Sequence, residues 1–444
     1  MQLKHEPAYI GCNEQPEFLP LLCIHLRNGC VVFTVLVLLL ALLAGLASAG
    51  LLLGALYVGW VWYAGEAISV GWLVGAGVAL LWSLLVRHIV LLLHREGTDN
   101  PQRHGSGERL PGAKGSTLHV EIEGPAGASV LVLTHGWGFD ASAWYSIRRR
   151  LRADFRLVLW DLPGLGASTS FSDGVFDIER FSENLHRVIE RVDGPVVLVG
   201  HSIGGMTMLT FCRRYPDLLG NKVKGLILID TTFTTPLRTT AGGGILPWLQ
   251  KPVAKALLHL NRLLWPVVWW MNWQSYLNGS SHLVTRLMSF SRDVTRGELD
   301  FAARFTATDH PAVVAKGILA TLDWDESATL RQISVPTTVL VGKEDRITVP
   351  AASHHIAKTV HAGNLQEITP AGHSGIVEEG DAYAAAIAAG ATRAIAGSHR
   401  VSGLPEHAVS PAEFEFTRAA SAAPSHARGD LGLDLGGKVS EEHV

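Results

Sequence analysis

The sequence predicts an α/β protein: a largely parallel sheet covered by helices on both faces, broken by a helical insertion and preceded by two membrane-spanning helices. Three observations predict it. From Leu118 onward, short runs of valine, leucine and isoleucine alternate with amphipathic helical segments. Between Asp230 and Pro336 that rhythm breaks over a stretch too long for a plain loop. Ahead of it all, positions 31–93 are almost free of charge.

Composition agrees. Of 444 residues, 48% are hydrophobic and only 17% charged, and the mean hydropathy of +0.22 is that of a chain with membrane segments. A net charge of -3 and the lack of a basic tract exclude a general nucleic-acid binder. Cys12, Cys23, Cys30 and Cys212 make no disulfide framework for a chain this long and read as free thiols in a reducing compartment. Cys30, at the edge of the apolar region, is a candidate for acylation.

Taken in order, residues 1–30 form a polar segment. Val31 to Leu56 carries no charge and is long enough to span a bilayer. Tyr57, Trp60, Trp62 and Tyr63 suit the membrane interface. A second uncharged stretch, about 67–90, ends at Arg87 and His88. Lys4 and Arg27 precede the hairpin, Arg87, Arg95 and Arg103 close or follow it, and the connecting loop holds only Glu66. Positive residues favour the cytoplasmic side, which places both ends and everything downstream there; the rival is a single signal-anchor that exports the rest. Positions 94–115 read as a Gly/Pro-rich linker.

A domain over 116–397 then begins. Leu118–Ile122 alternates as an edge strand, and Val130–Leu133, Leu157–Trp160, Val196–Val199, Gly225–Ile229, Thr338–Val341 and Leu365–Ile368 read as further strands. Trp144–Leu151 is a short helix and Ile178–Val192 an amphipathic one. The insertion, about 231–330, holds Trp248, Trp265, Trp269, Trp270 and Trp273 and reads as a helical cap. Positions 398–444 are rich in Ala, Gly, Ser and His and read as a disordered tail.

The chemistry centres on Gly200-His201-Ser202-Ile203-Gly204-Gly205, directly after a buried strand. Glycine-x-serine-x-glycine lets the backbone turn sharply and lifts the serine oxygen above a sheet edge. An ordinary strand-to-helix loop also holds such a serine by chance, so the rest of the chain must supply a base, an acid and an oxyanion hole. His373, in Ala371-Gly372-His373-Ser374, is the histidine after the last strand and the candidate base. Asp345 is the candidate acid, with Glu344 and Asp230 as alternatives. The order Ser202, Asp345, His373 is the serine-acid-histidine order of one hydrolase class. The backbone amides of Ile203 and of Trp137, in His135-Gly136-Trp137-Gly138, are the candidate oxyanion donors. His135, Gly136, His201 and Trp248 are assigned to substrate contact, with His201 also shaping the turn. No His/Cys/Asp spacing typical of a metal site occurs, and the chemistry requires no metal or organic cofactor.

Residues of about 117–396 resemble the α/β-hydrolase superfamily of lipase- and esterase-like serine hydrolases. Four motifs carry the resemblance in family order: His135-Gly136-Trp137-Gly138; Asp161-Leu162-Pro163-Gly164-Leu165-Gly166-Ala167-Ser168; Gly200–Gly205; and Gly342-x-x-Asp345-Arg346 with Gly372-His373. The resemblance implies the α/β-hydrolase fold, with eight mostly parallel strands and a Ser-His-Asp triad on loops at the sheet's carboxyl edge. It makes Asp161–Ser168 a structural turn. With serine rather than aspartate at the elbow, the epoxide-hydrolase and haloalkane-dehalogenase branches do not apply. The front hairpin and the tail lie outside the family pattern.

In the cap, Lys251, Lys255, His259 and Arg262 share one face of a helix expected between Pro252 and Pro266. Two readings fit: a basic stripe on an anionic leaflet, or a solvated face on a helix that roofs the pocket. The expected activity is membrane-anchored, lipase-like hydrolysis of lipophilic or acylglycerol-like esters through an acyl-enzyme. The alternatives are another carbonyl substrate (amide, thioester, lactone or C–C diketone), acyl transfer, or a non-catalytic membrane scaffold. The partners the sequence calls for are a small-molecule or lipid ester and a lipid bilayer; nothing in it calls for nucleic acid or a protein partner.

Overall fold

The computed structural model describes residues 45–97, 105–239, 247–291 and 294–401, with the side chains of 247–250 and 397–401 excepted. The polar segment 1–30, the start of the first expected span, Cys12, Cys23, Cys30 and the tail from 402 onward lie outside the described residues.

Two helices lead. α1 is described over Gly45–Tyr63 and α2 over Val70–Leu92, and both are long and apolar enough to cross a membrane by length and composition. The Tyr57–Tyr63 aromatics belong to α1 itself.

One sheet of eight strands follows among the described residues. Its members are β1 (Glu108–Pro111), β2 (Thr117–Glu123), β3 (Val130–Thr134), β4 (Arg156–Trp160), β5 (Val196–His201), β6 (Val223–Ile229), β7 (Thr337–Gly342) and β8 (Gly363–Ile368). They lie in the order β1-β2-β4-β3-β5-β6-β7-β8. β1–β2 and β2–β4 pair antiparallel, and the other neighbours are parallel. This is the mostly parallel sheet of the α/β-hydrolase fold. The edge strand is β1, not Leu118–Ile122, and the sheet begins inside the segment read as a linker. β1 is Glu-Arg-Leu-Pro, too short and polar to show an apolar period; what makes it a strand is its pairing with β2.

The period of two in the strands separates two cores. Val130, Val132, Val158, Trp160, Leu198, Leu226 and Leu228 face one side, and Leu131, Leu133, Leu157, Leu159, Val199, Ile227 and Ile229 the other. The first side is covered by helices α4 (Ile178–Glu190), α5 (Ile203–Arg214) and α12 (Pro350–Thr359). The second is covered by α3 (Tyr145–Leu151), the short α13 (Gly375–Glu378) and α14 (Gly380–Val401), which runs past the point where the tail was expected to begin. Both faces are therefore dry, as a parallel sheet requires.

Between β6 and β7 stand six helices of the described chain: α6 (Pro236–Thr239), α7 (Pro247–Leu263), α8 (Trp265–Leu277), α9 (Ser280–Ser289), α10 (Arg296–Thr308) and α11 (Pro311–Thr321). α7 starts earlier than expected and holds Pro252 inside it. The basic stripe is engaged within the chain: Lys251 and Lys255 both pair with Asp323, and Arg262 lies beside His259.

Candidate active site

Ser202 sits between β5 and α5 with φ 52° and ψ -119°, in the left-handed half of the map where a side chain is strained. Close packing enforces this. A Cβ on Gly200 would come within 2.7 Å of the Gly204 backbone, and one on Gly204 within 2.2 Å of the Thr134 carbonyl. The Ser202 amide donates to the Ile229 carbonyl (2.9 Å), and Thr231 Oγ1 donates to the Ser202 carbonyl (2.6 Å). The turn is thus locked to β6 on one side and to the end of β3 on the other.

His373 and Asp345 come from the loops after β8 and β7. His373 Nε2 lies 3.1 Å from Ser202 Oγ, and its Nδ1 lies 2.9 Å from Asp345 Oδ2. Asp345 is buried and saturated: Oδ1 accepts from the Ile347 amide (2.7 Å) and the Thr348 amide (2.9 Å), and Oδ2 accepts from the Thr348 hydroxyl (2.7 Å). Burial works against charge on the His373 ring, but the Asp345 carboxylate and its hydrogen bond outweigh it, and the pKa is raised. The two alternative acids serve elsewhere. Glu344 accepts from the Ala371 amide (2.9 Å). Asp230, itself at φ 44°, accepts from the Gly342 amide (2.7 Å) and from the Tyr383 hydroxyl (2.8 Å). Burial, followed by the neighbouring Asp345, pushes the Asp230 carboxyl well above the usual range.

Of the two candidate oxyanion donors, Ile203 opens α5, so its amide has no intrahelical acceptor. Trp137 lies in the loop after β3. Its indole is turned away from Ser202: it stacks on Phe181 with centroids 5.5 Å apart and donates from Nε1 to the Val314 carbonyl of α11 (3.0 Å).

Three residues assigned to substrate contact lie behind the site instead. His135 is fully buried, with Nδ1 donating to the Gly136 carbonyl (2.8 Å) and Nε2 accepting from the Leu162 amide (2.9 Å). His201 is buried and donates from Nε2 to the His373 carbonyl (2.9 Å). Burial, then the nearby His373, lowers its pKa to about 3, so the ring is neutral and holds the His373 loop. Gly136 is a packing glycine, since a Cβ there would come within 2.5 Å of the His201 ring. The Trp248 side chain lies outside the described residues.

The pocket beside this group has a volume of about 280 Å³. Its apolar wall is Phe139, Val268, Ala302, Phe305, Pro311 and Val314, and Trp137, Gly138 and Ser374 border it on the side of the site. A larger cleft, about 810 Å³, lies at the opposite, amino-terminal edge of the sheet around Ala128, Val130, Arg156 and Val196, remote from Ser202. Among the described residues, no three His, Cys, Asp or Glu side chains are grouped to hold a metal ion.

Sequence reasoning missed Thr348, which clamps Asp345, and Glu378, whose carboxylate accepts from the Gly372 amide (2.9 Å) and from Ser291. An aspartate followed by threonine three residues on is the one local signal that pointed to the first. It also missed Asp309 in the pocket wall, whose buried Oδ2 has no hydrogen-bond partner. A hydroxyl against an imidazole, itself aligned by a buried carboxylate, can lose its proton as it attacks an electrophilic carbonyl.

Comparison with known proteins gives a consistent picture. The alpha/beta hydrolase family model matches residues 131–386. A pimeloyl-[acyl-carrier protein] methyl ester esterase of Legionella pneumophila is 26% identical over 231 residues, 52% of this chain and 82% of that protein. Its counterpart from Nitrosospira multiformis is 28% identical over 247 residues, 53% of this chain and 84% of its own. Among solved structures, a thermophilic esterase from Thermogutta terrifontis superposes with a TM-score of 0.52 at 23% identity, covering 65% of this chain and 99% of the esterase.

Proposed function

The chain belongs to the alpha/beta hydrolase family, and from that premise we propose that it is a membrane-anchored serine hydrolase of lipophilic carboxylic esters. Ser202 is the nucleophile, His373 the general base and acid, and Asp345 the residue that orients His373. The observation that carries this reading is the unbroken chain from Ser202 Oγ through His373 to Asp345, at 3.1 Å and 2.9 Å.

Ser202 Oγ attacks the ester carbonyl carbon while its proton passes to His373 Nε2. The Asp345 carboxylate holds the Nδ1–H and stabilises the imidazolium. The Ile203 and Trp137 amides take the oxyanion, each contributing about 3 kcal/mol to the transition state. His373 returns the proton to the leaving alcohol, and water then repeats the sequence on the acyl-enzyme. The lipophilic preference rests on the phenylalanine- and valine-lined pocket. The curated relatives act, by their names, on the methyl ester of pimeloyl-[acyl-carrier protein], and an acyl chain suits such a pocket too. The anchor is the α1–α2 hairpin, with the hydrolase domain on the cytoplasmic side.

A fluorophosphonate probe is expected to label the wild type and to leave Ser202→Ala unlabelled; persistent labelling of the variant overturns the nucleophile. On p-nitrophenyl esters, kcat/KM rises with acyl length if the pocket takes the acyl chain. A preference for acetate would overturn the lipophilic reading.

A further inference from the structure

The hairpin is built into the cap. Gln274 of α8 is buried between the two leading helices, and its Nε2 donates both to Ser48 Oγ of α1 (3.1 Å) and to the Ser83 carbonyl of α2 (3.0 Å). Ser83 Oγ closes the node by donating to the Ser48 carbonyl (3.3 Å). About one turn of α2 further on, Arg87 stands 4.8 Å over the Tyr276 ring, and Gly279 packs so tightly on Arg87 and Val90 that a Cβ would come within 2.8 Å of Val90. The contacts advance together along both helices, 274 with 83, 276 with 87 and 279 with 90, so α8 and α2 meet with the same chain direction.

The outer side of α8 is largely open among the described residues, with Trp269 tied to the cap through its Nε1, which donates to the Ala307 carbonyl (3.1 Å). From Leu263 to Ser281 the chain carries no charge. Val267, Trp269, Trp270 and Trp273 expose 52%, 44%, 40% and 37% of their surface, and Leu257, Leu260 and Leu263 of α7 extend the patch. Charge returns only beyond this stretch, with Arg262 before it and Arg286 after it. α2, which packs against α8, exposes apolar side chains of its own, among them Leu85 and Ile89. Four residues separate Ser83 from Arg87, the first charge on α2, a rise of about 6 Å along the axis. Gln274 therefore enters the hairpin at the depth where interfacial helices lie, about 5–10 Å. A glutamine at that depth needs its amide satisfied by neighbouring helices, and Ser48 and Ser83 do so.

We propose that α8 is a membrane-embedded element of the cap, held against the hairpin by Gln274, with its tryptophan face against lipid and its inner face roofing the pocket. The inner face is Val268 and Asn272, which line the pocket between Phe305 and Asn261. A lipophilic ester then reaches Ser202 from the bilayer, past α8, without crossing water. This rests on the hairpin being a membrane anchor.

The test uses the full chain in phosphatidylcholine–phosphatidylglycerol liposomes. Cys12, Cys23 and Cys30 are replaced by serine. Cys212 stays, since burial first, and then the nearby Glu326, pushes that thiol up to about 12 and leaves it inert. Spin labels are placed singly through Trp270→Cys on α8, Trp72→Cys on α2 and Lys358→Cys on the hydrolase domain, and their accessibility to oxygen and to a water-soluble nickel chelate is compared. The expected result is that Trp270→Cys matches Trp72→Cys, reached by oxygen and shielded from nickel, while Lys358→Cys shows the reverse. A nickel-accessible label at Trp270→Cys with Trp72→Cys in lipid overturns the inference and leaves the anchor standing. Shielding of Trp270→Cys from both reagents means that protein covers the face, and overturns it as well. Nickel access at Trp72→Cys overturns the anchor and the inference together. Val267→Cys, on the same face, repeats the measurement should Trp270→Cys fail to fold.

Discussion

Asp309 shows what a single carboxyl can do in this pocket. It ends α10, its Oδ2 is buried without a partner, and burial, followed by Asp140 and Asp161, pushes its pKa up to about 8. The unfolded chain titrates near 3.9. The folded value is raised, so the stability this group contributes is fully present below about pH 4 and is lost as pH climbs to about 8. Each pH unit across that window costs up to about 1.4 kcal/mol. Asp309→Asn keeps the shape and cannot ionise. In thermal unfolding its Tm advantage over wild type is expected to grow from pH 4 to 8 and then to level off. An equal difference at both ends would show that Asp309 stays ionised. Such a residue is invisible in sequence, because an aspartate between two helices looks like a surface cap until the fold encloses it. The segments carrying Ser202 and Asp345 stand out in sequence because each follows an apolar run, β5 and β7, whereas β8 before His373 is Gly-Asn-Leu-Gln-Glu-Ile and announces it only by its place as the last strand. His135, Gly136 and His201 are harder to place from sequence alone. A histidine beside an active-site motif looks like a ligand, and only the fold shows that the nitrogens of His135 and Nε2 of His201 hold backbone groups.

At the level of elements, the sheet core was readable because its strands alternate strictly between two buried faces, and the cap was readable only as an interruption. Nothing local specifies how α11 meets the loop after β3, yet on the proposed mechanism, in which the Trp137 amide holds the oxyanion, that contact matters. Gly317 of α11 lies flat against the Trp137 indole, and a Cβ there would stand 2.0 Å from the ring. The indole has no room to yield, being stacked on Phe181 and edge-on to Phe176 with centroids 6.1 Å apart. Gly317→Ala must therefore push the ring and drag the loop that carries the Trp137 amide. Overpacking of this kind costs about 1–3 kcal/mol of stability. The expected kinetic signature is a fall in kcat of about tenfold or more with KM little changed, since an oxyanion donor acts in the transition state. A loss confined to KM would mean that the loop holds its position and that only the pocket wall moved.

At the scale of the molecule, the hairpin and the hydrolase domain have little slack between them. α2 ends at Leu92, and within four residues the chain is fastened to the cap. The Arg296 amide donates to the Arg95 carbonyl (2.9 Å), Arg296 Nε donates to the His94 carbonyl (2.9 Å), and the Arg296 guanidinium pairs with Glu96 (2.9 Å). On the proposed anchoring, the domain must then lie on whichever side of the membrane α2 ends. The charges that decide the side are Arg87 and Arg95 at that end, against Glu66 alone in the loop between the helices. Two thiol positions read this directly in intact cells, on the background in which the three leading cysteines are serine. Glu66→Cys is expected to react with a membrane-impermeant maleimide from outside, and Lys358→Cys, exposed on α12, only after the cells are opened. The reverse pattern would place the catalytic domain outside and would favour the exporting anchor. Reaction of both positions from outside would mean that α2 does not cross, and the patch on α8 would then need a partner other than lipid.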